Sequence, residues 1–468
     1  MTTAQPQLNA NKLQTLWRAK VLAERRDSQE AWRLVEPYLL EDPSDLQALD
    51  IAAYTFEMAG NPVVAHALYK RVTEVAPTGS QSWLNYGRVT EDLWMTDEAE
   101  RCYLKGLTLT KSPESRSLLY GNLAALCIDN GRFDEAEKYA KQSLEQNPKS
   151  RIAKSNLGFC QLALGQFDEG WKNYHHTIGT GWRQLVQYKG EPEWDGSPDK
   201  TVALYGEQGL GDEISFASMV PDVVRTSKKV ILDVDKRLKN LFARSFPEAK
   251  VYGTRAASSD TKPWADEDRD IDASLALGQC GEFFRTSRES FPAGPYLVPC
   301  HTRTAQWRAV FKDKGKPVIG IAWSGGIPKT GSKFRRVELE DWLPVFASID
   351  AHWVCLQYKD ASDEIAEFTK QHPHVDLVQY PWATLTKDYD DTAALVAALD
   401  CVVSVPTAVV RLAAALGTKT IVMNAKRKNW NFNAGLPFHP DVIHIQHGRD
   451  WRDALNEAAK KVRKVVDA

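Results

Sequence analysis

An array of helical hairpins followed by two parallel α/β half-domains is the fold class this sequence predicts, and three observations predict it. Small residues and helix-closing prolines recur at a nearly constant step through the first 180 positions. From residue 201 the pattern changes to short β-branched runs alternating with amphipathic helical stretches. A fresh strand-to-helix start at Pro317 then divides that region into two halves with a cleft between them. At 468 residues the chain is long enough for two or three domains, each with its own core.

Repeats starting near 12, 46, 80, 117 and 151 are separated by steps of 34, 34, 37 and 34. Small residues then fall at Ala19, Ala53, Gly87, Ala124 and Gly158 in the first helix of each unit, and at Ala31, Ala65, Ala99, Ala136 and Gly170 in the second. Tyr69, Tyr103 and Tyr174 lie four residues beyond the second small position, and Pro43, Pro77 and Pro148 close helical stretches. Asn130-Gly131-Arg132-Phe133-Asp134-Glu135 and Leu164-Gly165-Gln166-Phe167-Asp168-Glu169 read as inter-helix turns. This pattern resembles the tetratricopeptide repeat, whose small residues let paired helices approach closely. The resemblance implies a curved scaffold with a concave, peptide-binding face. Asn85, Asn122 and Asn156 recur near one place in three first helices, where a ladder of amides suits an extended acceptor peptide. Local helix–helix polar contacts would account for them equally well. A purely supporting or dimerising array is the alternative for the repeats as a whole.

Residues 179–200, rich in Gly and Pro with Trp182, Trp194 and Asp195-Gly196, read as a connector. Strands are expected at 201–205, 229–234, 249–252, 317–323, 352–357, 375–379, 400–404, 419–423 and 442–445. Helices are expected at 212–226, 235–245, 339–348, 361–371, 391–398, 407–416 and 451–466, with loops over 256–272 and 292–303. The domains expected are 1–182 (about five repeats), 183–305 and 306–468.

Composition narrows the partners. A net charge of −2 with 26% charged residues gives no global bias towards nucleic acid or membrane. The N-terminus carries no apolar signal core, and no run approaches a membrane-spanning length, so a soluble cytoplasmic protein is expected. The seven cysteines are scattered without a CxxC pair, which reads as reduced, mostly buried thiols.

Three segments carry chemistry. Gly206-Glu207-Gln208-Gly209-Leu210-Gly211-Asp212 follows the run 201–205 and opens a helix. Its spacing matches neither the phosphate loop nor the dinucleotide fingerprint, yet such a turn brings backbone N–H groups and one carboxylate to a ligand. Asp212 suits a general base at a cleft edge, and a helix N-cap equally. Glu207 is a second candidate, or the group that orients Asp212. Next, Ile319–Ala322 runs into Trp323-Ser324-Gly325-Gly326 and then Lys329, Lys333, Arg335 and Arg336, cations well placed for a diphosphate or simply solvated on a loop. Third, Cys401–Ser404 ends in Val405-Pro406-Thr407-Ala408, where a helix starts with Arg411 one turn in. A capped helix N-terminus is an anion site as well as an ordinary capping pattern.

Together with Phe167-Asp168-Glu169-Gly170-Trp171, Trp194-Asp195-Gly196, Asp391-Thr392-Ala393-Ala394-Leu395 and Asp450-Trp451, these segments resemble the glycosyltransferase module attached to tetratricopeptide arrays in bacterial proteins. That module is similar to the lipopolysaccharide heptosyltransferases, and the similarity extends over 167–468. The resemblance implies a GT-B fold of two Rossmann-like halves, with the nucleotide sugar on the C-terminal half and the acceptor facing the N-terminal half. It implies Asp212 as base and Trp323, Ser324, Gly325, Lys329, Lys333, Arg335, Thr407, Ala408 and Arg411 around the donor. Comparable pairings of repeats and transferase in O-GlcNAc transferase and flagellin-modifying enzymes imply a protein Ser/Thr acceptor. Two positions depart from the family pattern: Pro406-Thr407 stands where an Asp-Thr pair is usual, and Arg411 where His is usual, which bears on donor identity and on activity. No metal or cofactor is expected, because cations and helix dipoles can stabilise a leaving diphosphate. Asp233-Val234-Asp235 resembles a metal-binding pair but lies in the wrong fold pattern for one. Trp430-Asn431-Phe432-Asn433 is a stacking loop or a packed lid. The reading is a nucleotide-sugar glycosyltransferase acting on a protein bound by the repeats, with a second copy of the chain (a homo-oligomer) as a further candidate partner. Its alternatives are an inactive transferase-like assembly protein, or a transferase acting on a glycan or lipid-linked saccharide.

Overall fold

The computed structural model describes residues 4–180, 183–255, 262, 264–265, 270–292, 294–326, 335–424, 438–439, 441–446 and 451–467. The chain forms two compact units, Met1–Leu157 and Gly158–Ala468.

The first unit is a series of helical hairpins. The helices are α1 (Ala4–Glu24), α2 (Ser28–Glu41), α3 (Leu46–Met58), α4 (Pro62–Val75), α5 (Ser80–Asp92), α6 (Thr96–Leu109), α7 (Pro113–Asp129) and α8 (Phe133–Gln146). A fifth hairpin, α9 (Arg151–Ala163) and α10 (Phe167–Tyr174), follows, and the division between the units falls within α9. Several helices have a local start signal. Asp45 accepts from the N–H groups of Gln47 and Ala48 to start α3, and Pro62 and Pro113 sit in the first turns of α4 and α7, where a missing N–H costs little. The recurring small residues are where helices touch: Ala19, Ala53, Ala65, Ala99, Ala124 and Ala136 are all fully buried. Where the repeat has glycine instead, a methyl group would not fit. A Cβ at Gly87 would lie 2.5 Å from the Tyr103 ring, and one at Gly158 would lie 2.4 Å from the Tyr174 backbone nitrogen. The repeat tyrosines have a polar duty as well. Tyr69 and Tyr103 donate their hydroxyls to Glu57 and Glu91, each 12 residues upstream, at 3.1 and 2.8 Å.

The second unit holds two parallel sheets. The smaller has β1 (Thr201–Tyr205), β2 (Lys229–Asp233), β3 (Ala249–Tyr252) and β4 (Ala273–Ala276) in the order β3-β2-β1-β4. The larger has β5 (Val318–Ala322), β6 (His352–Cys355), β7 (Asp376–Gln379), β8 (Cys401–Ser404), β9 (Thr420–Asn424) and β10 (Ile443–Gln446) in the order β10-β9-β8-β5-β6-β7. Both sheets reverse their winding beside their first strand, between β1 and β4 in one and between β5 and β8 in the other. In open parallel sheets ligands bind beyond the carboxyl ends of the strands at such switch points. The larger helices of this unit are α11 (Leu210–Phe216), α12 (Val220–Thr226), α13 (Lys239–Ser245), α14 (His301–Lys312), α15 (Ser362–Gln371), α16 (Tyr389–Val396), α17 (Ala408–Leu416) and α18 (Trp451–Val466).

Several elements differ from expectation; the helix expected over 339–348, for one, is a 3₁₀ turn (Leu339–Trp342) followed by a single α turn (Leu343–Phe346). The helix expected over 212–226 is broken into α11, a 3₁₀ turn and α12, because Pro221 in the first turn of α12 supplies no N–H to the turn before it. Strand β4 was not anticipated: Ala-Ser-Leu-Ala is buried on both faces, with neither alternation nor branching to mark it. Helix α14 begins at His301, inside the expected 292–303 loop, behind a Cys300 N-cap that makes no side-chain capping bond. Among the described residues no helix is long and apolar enough to cross a membrane.

Candidate functional site

The turn after β1 is built on close approach. Gly206 donates its N–H to the Asp233 carbonyl at 2.7 Å, and a Cβ there would lie 2.4 Å from the Glu213 carboxylate. Gln208 has φ 59°, in the left-handed region. Gly209 is the N-cap of α11, so Asp212 is its third residue and not the cap itself. Asp212 Oδ2 accepts from the Gly209 N–H at 3.1 Å, the carboxylate half of a capping box. Its other oxygen, Oδ1, accepts from Arg411 Nη1 at 2.5 Å, which joins the switch point of the first sheet to the helix that leaves the switch point of the second.

Glycine again sets how near these elements come. A Cβ at Gly211 would be 3.1 Å from Arg411 Cδ and 3.2 Å from Ala408 Cα, so α11 rests on the first turn of α17. A Cβ at Gly325 would be 2.5 Å from Thr407 Cγ2, so the turn after β5 rests on the N-cap of the same helix. Thr407 makes no capping bond with its side chain; its Oγ1 lies 3.3 Å from Ser404 Oγ. Ser324 is held by Gln357, whose amide satisfies both partners when its nitrogen donates to the Ser324 carbonyl at 2.8 Å and its oxygen accepts from the Ser324 N–H at 3.2 Å. Arg335 reaches the Pro406 carbonyl at 3.5 Å. Burial and then the neighbouring Arg411 charge push the Arg335 guanidinium below its ordinary range, opposed by Asp212. Two arginines, a serine–threonine pair and the start of α17 therefore converge beside Asp212.

Other anticipated site residues have different surroundings. Glu207 is turned inward, bound at both oxygens by Arg183 at 2.5 and 2.7 Å, so its carboxylate is held beneath the turn and not presented to the cleft. The Trp323 indole is 1% exposed, packs in the core of the larger sheet and donates to Glu364 at 3.1 Å, so it shapes the loop from below and offers no face to a ligand. Lys329, Lys333 and Trp430–Asn433 lie outside the described residues. The three asparagines do not form one amide ladder. Asn156 is buried and donates to the Gly121 carbonyl, Asn122 donates back to Leu118 of its own helix, and Asn85 accepts from Gln81; the three bonds are each 2.9 Å. Arg183, Gln357 and His439 had no signal in the sequence, because each acts through a partner distant in the chain.

Buried charge surrounds the turn. Burial raises the Glu213 carboxyl to about 8 against the pull of Arg255, whose Nε is 2.6 Å away. Burial also acts on Asp235, but hydrogen bonds from Arg237 hold it down to about 2. Asp233 is occupied by Tyr188 at 3.2 Å and Thr254 at 2.7 Å, so the Asp233–Asp235 pair is bound to protein groups. His439 packs face to face with Tyr296, hydrogen-bonds Ser215 at 3.1 Å, and is pushed down to about 3 by burial and by Arg411. Further bonds tie the two sheets' halves together within the unit. Arg244 pairs with Asp390, and Asn240 donates to Asp388 at 2.9 Å. A cavity of about 420 Å³ lined by Gly417, Thr420, Phe438, His439 and Lys464 lies at the opposite end of α17 from Thr407, away from Asp212.

Comparison with known proteins finds a repeat family within the helical hairpins. The family model described as Tetratricopeptide repeat matches residues 127–170. Protein FlbA of Caulobacter vibrioides is 28% identical over 449 residues, 91% of this chain and 74% of FlbA. A crystal structure of MamA, at 18% identity and a TM-score of 0.31, covers 34% of this chain and 91% of its own. A glycosyl transferase family 9 structure from Veillonella parvula, at 8% identity and a TM-score of 0.43, covers 59% of this chain and 99% of its own. The chain thus carries tetratricopeptide repeats followed by a parallel-sheet α/β region, and it is similar to FlbA along most of its length.

Proposed function

We propose that the protein is a glycosyltransferase of the heptosyltransferase-like GT-B type, moving a sugar from a nucleotide-sugar donor to a protein hydroxyl recruited by the repeats. The observation that carries this reading is the meeting of Asp212 with Arg411 where the two sheets' switch points face each other. One side offers a carboxylate and the other offers cations and a helix N-terminus, the two needs of glycosyl transfer to an alcohol. The acceptor oxygen attacks the anomeric carbon and its proton passes to Asp212. The bond from that carbon to the phosphate oxygen breaks, and the charge developing on the leaving nucleotide is met by Arg411, Arg335 and the Thr407–Ala408 start of α17. Lys329 and Lys333 are proposed to add to that charge. Ser324 and Gly325 form the wall along which the donor lies, and the first unit is the acceptor-binding part.

A second reading has its own support. Asp212 already holds a 2.5 Å bond to Arg411, so a base and a phosphate ligand neutralise one another, as suits a transferase-like binding protein without turnover. A panel of uridine, guanosine, adenosine and cytidine nucleotide sugars separates the two. The transferase reading expects nucleotide release from at least one donor, lost in Asp212→Asn while donor binding persists. Binding without release from any donor favours the assembly protein. Deleting residues 1–150 is expected to abolish modification of a protein acceptor while leaving slow donor hydrolysis.

A further inference from the structure

The turn that presents Asp212 follows an unfavourable backbone path. Gln208 sits at φ 59°, a conformation that costs a non-glycine residue free energy unless its surroundings hold it there. The holding groups come from the last residue of α10 and the stretch just after it. Arg183 is 1% exposed and Glu207 5%, and their bidentate pair lies directly under the turn. The remaining Arg183 nitrogen, Nη1, donates to Thr177 Oγ1 at 3.0 Å, Gln279 Oε1 at 3.1 Å and the Tyr174 carbonyl at 3.3 Å. The guanidinium stands 4.2 Å from the centre of the Tyr174 ring. The Tyr174 hydroxyl in turn accepts from Gln208 Nε2 at 2.5 Å. Opposite, the Gly278 N–H donates to Glu207 Oε1 at 3.1 Å, and a Cβ at Gly278 would come within 2.5 Å of that oxygen. A buried ion pair is a weak source of stability compared with apolar packing, so a fully bonded one under a strained turn points to placement.

We infer that Tyr174 and Arg183 are positioning residues for Asp212, fixing the Glu207–Gln208–Gly209 path so that α11 starts where its third residue meets Arg411. The catalytic consequence rests on the transferase reading. Structurally, the end of the last repeat helix and the residues following it are then part of the site's machinery and not a passive connector.

The test uses the full-length chain carrying Tyr174→Phe, which deletes one hydroxyl and keeps the ring under Arg183. Hydrogen exchange needs no substrate. Amides 208–212 are expected to exchange at least about tenfold faster, while β1 and β2 keep their protection. Unchanged exchange over 208–212 overturns the assignment, whatever the enzyme does. With a donor that the wild type turns over, kcat is expected to fall about tenfold at nearly constant donor KM. That loss should vanish in an Asp212→Asn background, because both changes then act through one carboxylate. Additive losses, or a loss confined to KM, overturn it too. If the wild type releases no nucleotide from any donor, the transferase reading fails and the exchange result alone decides the positioning role.

Discussion

The Asp212 carboxylate and the Arg411 guanidinium, 199 residues apart in the chain, are 2.5 Å apart in the fold. Arg411 is nearly enclosed and Asp212 is one-fifth exposed at its side chain, so the pair lies close to the surface and not in the core. The contact ties the turn after β1 to the helix proposed to receive the donor phosphates.

Arg411→Ala is expected to weaken binding of uridine, adenosine or guanosine diphosphate by about 10- to 100-fold, as loss of a charge-assisted contact does, with Arg411→Lys in between. Asp212→Asn should leave that affinity within about threefold and lower turnover by about 10²–10⁴, the usual range for a general base. Calorimetry with the diphosphates and nucleotide release separate the two effects.

Gly325→Ala should obstruct the same site, because the new methyl would sit 2.5 Å from Thr407 Cγ2. Thr407→Ser removes that methyl and keeps the hydroxyl. The double variant is therefore expected to regain most of the diphosphate affinity lost in Gly325→Ala, read by the same calorimetry. No regain would mean that the two turns do not touch in solution.

The repeat asparagines should separate by stability. Asn156→Ala leaves the buried Gly121 carbonyl without its amide partner and is expected to cost about 1 kcal/mol in urea unfolding. Asn122→Ala removes only a bond within its own helix and should cost near zero. A larger loss at Asn122 would contradict this assignment of their contacts.

Stability should depend on pH through Glu213. Its folded carboxyl titrates at about 8, above the ordinary value of 4.5, so the folded state holds a proton that the unfolded chain has released between those values. Its contribution is therefore present below pH 4.5 and is lost as pH rises through 8. His439, at about 3 against an ordinary 6.5, has the opposite sign: its contribution is lost as pH falls below 6.5. Glu213→Gln should flatten the fall in Tm between pH 5 and 8 without changing the acid side, measured by scanning calorimetry.

Much of the fold is legible because its signals are local. Nine strands match runs of branched residues, and the repeat period is written in alanines, glycines and prolines whose bulk or missing N–H acts where they stand. Apart from the break at Pro221, the misses are elements that their own residues do not mark. β4 is a strand because β1 pairs with it, and α14 starts without a capping side chain. The site divides in the same way. Asp212 and Thr407 could be marked from their turns, whereas the inward rotation of Glu207 depends on Arg183, which carries no motif.

From composition, period and turn chemistry alone the chain is a helical repeat array followed by two parallel α/β halves, with glycine turns at strand ends. Which of those turns meet is a matter of tertiary packing. Asp212 pairs with Arg411 because sheet order brings two switch points together and Gly211 and Gly325 permit the approach. Contacts spanning 199 residues leave no periodic trace in the sequence, since neither partner's local backbone depends on the other.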